Sequence, residues 1–266
     1  MVELQPVDAV EITLVVDNFV DILMAGGDGV RRFPLAYDQF QDREQLVAEH
    51  GFSALVTVES GGRRSSVLDD GGLTPNGLAN NLDVLQVELA GLRAIVVSHG
   101  HVDHHGGLEG LVSRTGLRRL PLLIHPEAWR ERKVTFPTGT ELRLPPPSRA
   151  DLEADPLILD DQNLVVDVAG KGLVVVSACS HAGAVNVLRN ARRLTGRDRI
   201  AGFVGGFHLT GAVFEPIIEP TITALTDLGV ERFVPGHCTG WKATHRLAAA
   251  LPEAFVQPSV GTVVRF

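Results

Sequence analysis

Two cysteines, Cys179 and Cys238, are all the thiols in a chain of 266 residues. That is too few for a disulfide framework or for a cysteine-rich structural zinc site. Tyrosine and tryptophan are scarce too, at one and two residues. No apolar run reaches the roughly 18 residues that a membrane helix needs. The N-terminus carries Glu3, Asp8 and Glu11 and lacks a basic start followed by an apolar core, so no signal peptide is visible. A cytoplasmic protein with reduced thiols is the expectation. Positive charge is in deficit: 24 Lys and Arg stand against 32 Asp and Glu, a net charge of −8, which argues against a nucleic-acid partner. Neither a Gly-rich Walker loop nor a G-x-S-x-G elbow is present, so nucleotide-loop and serine-hydrolase chemistry lack support.

What is there is a foldable chain, 44% hydrophobic and 21% charged. At this length about three-quarters of the unfolded surface can be buried. Glu11–Val16, Ser53–Val58, Ser65–Leu68 and Ala94–Val97 read as strands from their β-branched and apolar runs. Leu78, Leu82, Leu85 and Leu89 form one stripe and predict a helix over Asn76–Leu89. Leu120–Ile124 is another strand, and Leu164–Val168 and Leu173–Val176 form a hairpin. Ala184–Leu194 is helical and Ile200–Val204 a strand. A helix starting at Pro220 and stopping at Gly229 follows, then a strand at Arg232–Val234, a helix at Ala243–Leu251 and a last strand at Thr262–Phe266. The pattern is an α/β mixture in which helices cover sheet layers. Residues 25–42 and 127–151 are irregular stretches and candidate lids.

Ten histidines stand out against the aromatic scarcity. The densest run is Ser98-His99-Gly100-His101-Val102-Asp103-His104-His105-Gly106-Gly107. Imidazole nitrogen and carboxylate oxygen suit zinc, manganese or iron. Ligands two apart on an extended chain point the same way, so His99 and His101 can grip one ion. Asp103 and His104 are then free to turn toward a second, with Gly106 and Gly107 giving the turn its freedom. His181, His208 and His237 each follow a short apolar strand within a few residues, as His99 does. Any one of them could be a core or capping histidine. Together they fit binding groups that collect at the C-terminal ends of strands.

These residues resemble the metallo-β-lactamase-fold hydrolase superfamily, whose H-x-H-x-D-H-x-G-G signature is matched in full. Glu49-His50-Gly51-Phe52-Ser53, Cys179-Ser180-His181, Gly205-Gly206-Phe207-His208-Leu209 and Pro235-Gly236-His237-Cys238-Thr239-Gly240 are similar to a narrower subfamily, labelled dihydropterin-linked ribofuranosylaminobenzene phosphate synthase. The likeness runs from Val10 to Phe266 and implies one αββα domain over residues 1–266. It implies two divalent ions, zinc first, with manganese or iron as alternatives. His99, His101 and His181 would hold one, and Asp103, His104 and His237 the other. Asp103 is also the implied proton acceptor. His208 stands where most members carry a metal-bridging Asp, and is read as a ligand of the second ion or a substrate-facing group, with the ligand role preferred. Asp69 is read as orienting a ligand imidazole by accepting its other N–H, or else as a turn residue. Cys179 and Cys238 are read as small residues packing behind the metals, with a metal-binding or nucleophilic thiolate as the alternative.

The expected activity is hydrolysis of a small phosphodiester or phosphate-bearing substrate by metal-activated water. A lactonase, thioesterase or β-lactamase on the same site is the first alternative. A ligand sensor that binds without turnover is a second, opposed by the complete ligand set. Asn18, Lys242 and His245 are candidate substrate contacts, with a solvated helix face as the competing reading for the last two. Trp129, Arg130 and Arg132 would face the substrate if residues 127–151 formed a lid. The partner is a small molecule, no membrane is implied, and nothing in the composition opposes a homo-oligomer.

Overall fold

The structure is a computed structural model and describes residues 1–33, 45–115, 120–130, 132–135, 138–144, 146 and 161–266. Its elements run β1 (Ala9–Val16), β2 (Val30–Arg31), β3 (Ser53–Ser60), β4 (Arg63–Asp69), α1 (Gly77–Val84), β5 (Leu92–Val97), α2 (Val102–His105), α3 (Leu108–Thr115) and β6 (Leu122–Ile124). There follow β7 (Arg132–Thr135), β8 (Glu141–Leu144), β9 (Leu164–Val168), β10 (Gly172–Ser177), α4 (Ala184–Thr195), β11 (Ile200–Gly206), α5 (Ile218–Asp227), β12 (Phe233–Gly236), α6 (Trp241–Ala250) and β13 (Val263–Arg265).

Apolar runs in β1, β3, β10 and β11 make strands that are buried on both faces, so two sheets must stack. A seven-stranded sheet has the order β2-β13-β1-β3-β4-β5-β6, and a four-stranded sheet the order β12-β11-β10-β9. Their facing sides share a core of Val10, Ile12, Leu14 and Val56 against Val174, Val176 and Val204. The outer side of the large sheet buries Leu68, Ile95 and Val97 against Leu78 and Leu82 of α1 and Leu111 of α3. The outer side of the small sheet buries Leu173 and Phe203 against Leu188 of α4, Leu225 of α5 and Leu247 of α6. Each such fully buried side chain contributes about 1.5–3 kcal/mol. The result is the expected αββα order of layers. Among the described residues no helix is long and apolar enough to cross a membrane.

Parallel pairing is what positions the site. β4, β5 and β6 run parallel in one sheet, and β10, β11 and β12 in the other. The C-terminal ends of β4, β5, β10, β11 and β12 bring Asp70, His99, His181, His208 and His237 to one edge of the sandwich.

Several expectations shift. The leucine stripe gives a shorter helix, because α1 ends at Leu85 and the chain reverses at Gln86, whose φ is +54°. Helix α5 starts two residues before Pro220, which a first turn tolerates because its N–H groups lack intrahelical acceptors anyway. Within residues 25–33, Val30 and Arg31 form an edge strand on β13, and 34–42 lie outside the described residues. Residues 127–151 contain the β7–β8 hairpin, with the remainder largely outside the described residues. Arg130 pairs with Glu127 at 2.6 Å on the surface, and the side chain of Arg132 is not described.

Candidate metal centre

β5 delivers a buried Ser98-His99 pair, and the chain stays extended through His101 (φ −82°, ψ 142°) before α2 begins. His99 Nε2 lies 2.9 Å from His101 Nδ1 and 3.0 Å from His181 Nε2. Three imidazole nitrogens thus converge, close to the spacing of about 3.3 Å that metal–nitrogen bonds of 2.0–2.1 Å set in a tetrahedral site. This cluster unites His99, His101 and His181 as expected.

The first turn of α2 starts a second cluster. Asp103 Oδ2 faces His237 Nε2 at 3.4 Å, His50 Nε2 at 3.6 Å and His104 Nε2 at 3.7 Å. His104 is wholly buried, and its Nε2 has no hydrogen-bond partner. A buried nitrogen left without a partner, aimed at a carboxylate and two further imidazoles, is what a cation site with these donors requires. Asp103, His104 and His237 therefore come together, and His50 joins them. Sequence reading kept His50 only inside a motif, and Glu49-His50-Gly51 was the sole signal.

Each buried imidazole of these clusters is held on its far side. Ser98 Oγ lies 2.9 Å from His99 Nδ1, Asp70 Oδ2 lies 2.6 Å from His104 Nδ1, and Asn18 Oδ1 lies 3.3 Å from His237 Nδ1. Such contacts fix tautomer and ring orientation. The acceptor for an imidazole N–H is thus Asp70 and not Asp69. β4 ends at Asp69, and Asp70 turns out of the strand with φ +60°, which carries its carboxylate to the site. There it accepts bonds from Ser98 N and Ser98 Oγ, both at 2.7 Å. Asp69 stays in register in the strand with a buried Oδ1 that has no partner.

Asn18 also moves in role. It lies 3.4 Å from His50 Nδ1 as well as on His237, so it braces two imidazoles while lining the adjoining cleft. Asp17, buried beside it, accepts from His237 N at 3.1 Å and sets the turn in which His237 has φ +44°. Four non-glycine residues with positive φ (Asp70, Ser180, His208 and His237) sit at these strand ends. Backbone strain of this kind collects at functional sites.

His208 lies with the first cluster. Its ring is 4.2 Å from that of His181, and its Nδ1 is 3.5 Å from Cys179 Sγ. The expected place beside the second set of ligands goes instead to His50. Gly106 and Gly107 act by close approach and not by turn freedom, since neither has positive φ. A Cβ at either would run into the Leu73 or Gly71 carbonyl.

Electrostatics fit donors that wait for a cation. Burial opposes charge on Asp103, but its hydrogen bond to His237 and the nearby His104 outweigh this and hold its carboxyl well below the usual range. Burial pushes His104 and His181 down to about 3, so both are neutral imidazoles at pH 7, the ligand form. Burial and the adjoining Asp70 push Asp69 well up, and burial raises Asp70 as well, to about 8, against the two bonds that Asp70 accepts from Ser98.

A cleft of about 550 Å³ opens beside His237, lined by Asn18, Phe19, Met24, Trp241 and His245 among others. No Lys or Arg lines it among the described residues. Lys242 points elsewhere and pairs with Glu215 at 2.8 Å. His245 places Nδ1 2.8 Å from Trp241 O and its ring 4.0 Å from the Trp241 ring.

Comparison with known proteins agrees with this architecture. A curated relative in Methanocaldococcus jannaschii, 7,8-dihydropterin-6-methyl-4-(beta-D-ribofuranosyl)-aminobenzene-5'-phosphate synthase, is 28% identical over 90% of this chain and 97% of its own length. An uncharacterized protein of the same organism is 25% identical over 83% of this chain and 95% of its own. A solved metal-dependent hydrolase of the beta-lactamase superfamily shares the fold, with a TM-score of 0.70 at 24% identity, covering 97% of this chain and 98% of that one. The family model of the metallo-beta-lactamase superfamily matches residues 51–237, which is most of the sandwich and every strand end that carries one of these histidines. The chain belongs to the metallo-beta-lactamase superfamily.

Proposed function

We propose that the protein is a metal-dependent hydrolase of a small ester, acting on a phosphodiester or phosphate-bearing substrate. The observation that carries this is the convergence of donors at one sandwich edge, His99, His101 and His181 on one another and His104 and His237 on Asp103, with a cleft opening beside His237. His99, His101 and His181 would hold one divalent ion, and Asp103, His104 and His237 the other, with zinc the first choice and manganese or iron the alternatives. Such ions supply Lewis acidity: they acidify water toward neutral pH and polarise the oxygen of the bond under attack. The chain's own part is to hold five imidazoles and a carboxylate in place. Asp103, ionised and partly buried among these imidazoles, is the group placed to take a proton from an attacking water. Asp70, Ser98 and Asn18 keep the imidazoles from rotating away. The M. jannaschii relative is named for a product that carries a phosphate, which supports the substrate class.

A neutral ester, as in a lactonase or thioesterase, is favoured by a different observation. The cleft offers Phe19, Met24 and Trp241 and, among the described residues, no Lys or Arg. The deciding experiment assays bis-p-nitrophenyl phosphate, cyclic nucleotides, a lactone and a chromogenic cephalosporin with zinc-, manganese- and iron-loaded protein. Turnover of the phosphate esters is expected to exceed that of the lactone. The reverse order would select the second reading, and metal-loaded protein that turned over none of them would remove the hydrolase assignment.

A further inference from the structure

Cys179 occupies an unusual place. Its Sγ lies within 4.8 Å of a donor atom on His99 and His104, on His181 and His208, and on His237 and Cys238. No other described donor is shared so widely between the two clusters. It sits just past the end of β10, before Ser180 turns the chain with φ +53° to present His181. The Ser177 and Ser180 hydroxyls, 2.7 Å apart, tie off that turn. The sulfur is buried at 4% exposure beneath the imidazoles and lies 2.9 Å from Cys238 Sγ. The neighbouring strand makes room for it: a Cβ at Gly206 would meet Cys238 Sγ at 2.6 Å and Cys179 Cα at 3.3 Å. Packing alone would need only a small apolar side chain here.

Charge gives the position its meaning. Two divalent ions bring four positive charges into a largely buried site. The six ligands named for them carry one negative charge, on Asp103. Buried charge is costly unless it is compensated. We infer that Cys179 is a thiolate ligand shared between the two ions, supplying the second negative charge from beneath. This rests on the two-ion reading above. On binding, the Sγ–H proton leaves to solvent and the sulfur lone pairs go to the ions, with no change of oxidation state. Cys238 Sγ accepts from the Cys179 thiol at 2.9 Å, and once that proton has left, Cys238 is the thiol behind the thiolate.

X-ray absorption on the reduced, zinc-loaded full chain reads this directly. A shared thiolate gives about one sulfur per zinc at about 2.3 Å, beside nitrogen and oxygen at about 2.0–2.1 Å. That signal is expected to persist in Cys238→Ser and to vanish in Cys179→Ser. Cobalt loading gives an independent reading, a sulfur-to-cobalt charge-transfer band lost in Cys179→Ser alone. Two zincs per chain with only nitrogen and oxygen neighbours would overturn the inference and leave the metal site intact. A sulfur signal that survives in Cys179→Ser and disappears in Cys238→Ser would overturn it in favour of the other thiol. Protein that takes up no metal would remove the two-ion reading itself. Should the Cys179 variant fail to fold, the wild-type and Cys238→Ser spectra decide together: a sulfur signal that persists in Cys238→Ser belongs to Cys179, and one that disappears there overturns the inference.

Discussion

The His99–His101–His181 cluster is built from imidazoles alone, whereas its neighbour closes on the Asp103 carboxylate, with His50 as an extra imidazole at 3.6 Å. His181 and His101 remain open to solvent, while His104 and His237 are buried. Bracing differs in the same sense. Both buried imidazoles of the second cluster meet a side-chain oxygen, one of them a carboxylate at 2.6 Å. In the first cluster His99 is held by the neutral Ser98 hydroxyl. The carboxylate charge favours the second cluster, so it should hold an ion more tightly. The open first cluster is left to exchange ligands with substrate and water.

The strongest test removes the feature that separates the two. Asp103→Asn keeps the shape but takes away the carboxylate. Elemental analysis is expected to show about one ion lost per chain. Ester hydrolysis should fall by more than the roughly 10–100-fold that loss of an outer contact costs. If this variant kept both ions, the ranking of the clusters would collapse.

Next in size is Asp70→Asn, which weakens the brace and spares every ligand. Affinity for the more tightly held ion is expected to drop by roughly 10–100-fold in a competitive chelator titration, with the first cluster little affected. Equal weakening of both ions would show that Asp70 acts through Ser98 on the whole edge.

Chelation compares the clusters through stability. An ion present at about 100 times its dissociation constant adds about 2.7 kcal/mol to a fold that binds it only when native. Stripping it should lower the melting temperature by on the order of 5 °C or more. Re-addition of zinc should restore most of that shift with the first equivalent, which fills the carboxylate cluster. A melting temperature indifferent to chelator would mean that neither cluster binds tightly.

The smallest effect is expected outside the cleft. Lys242 is bound to Glu215 on an exposed helix face, and such surface pairs are worth about 0–1 kcal/mol. Lys242→Ala should change kcat/KM by no more than about twofold and leave both ions in place. A large rise in KM would show that Lys242 leaves Glu215 to meet substrate.

Local pattern carried a good part of this far. β1, β3, β9, β10 and β11 follow from apolar and β-branched runs, because strands buried on both faces need them. The ligand histidines follow from their spacing and from recurring just past such runs. Asp69 and Asp70 mark where pattern stops. Adjacent residues on a strand point to opposite faces, and the strand's end decides which carboxylate escapes the alternation. Only Asp70, with positive φ, leaves the sheet to reach His104. His50 was silent for another reason. It sits in a loop before β3, and its approach to Asp103 spans 53 residues of chain that no local rule relates.

The amino-acid order by itself determined the layers, the strand ends that carry imidazoles and the scarcity of thiols, because these depend on periodicity and composition. Which donors share a centre was decided only by the stacking of two sheets. β5 and β10 belong to different sheets, and their ends meet because both sheets bury one common core. That stacking sets His181 on His99, gathers His237 and His50 around Asp103, and puts a scarce cysteine beneath both clusters.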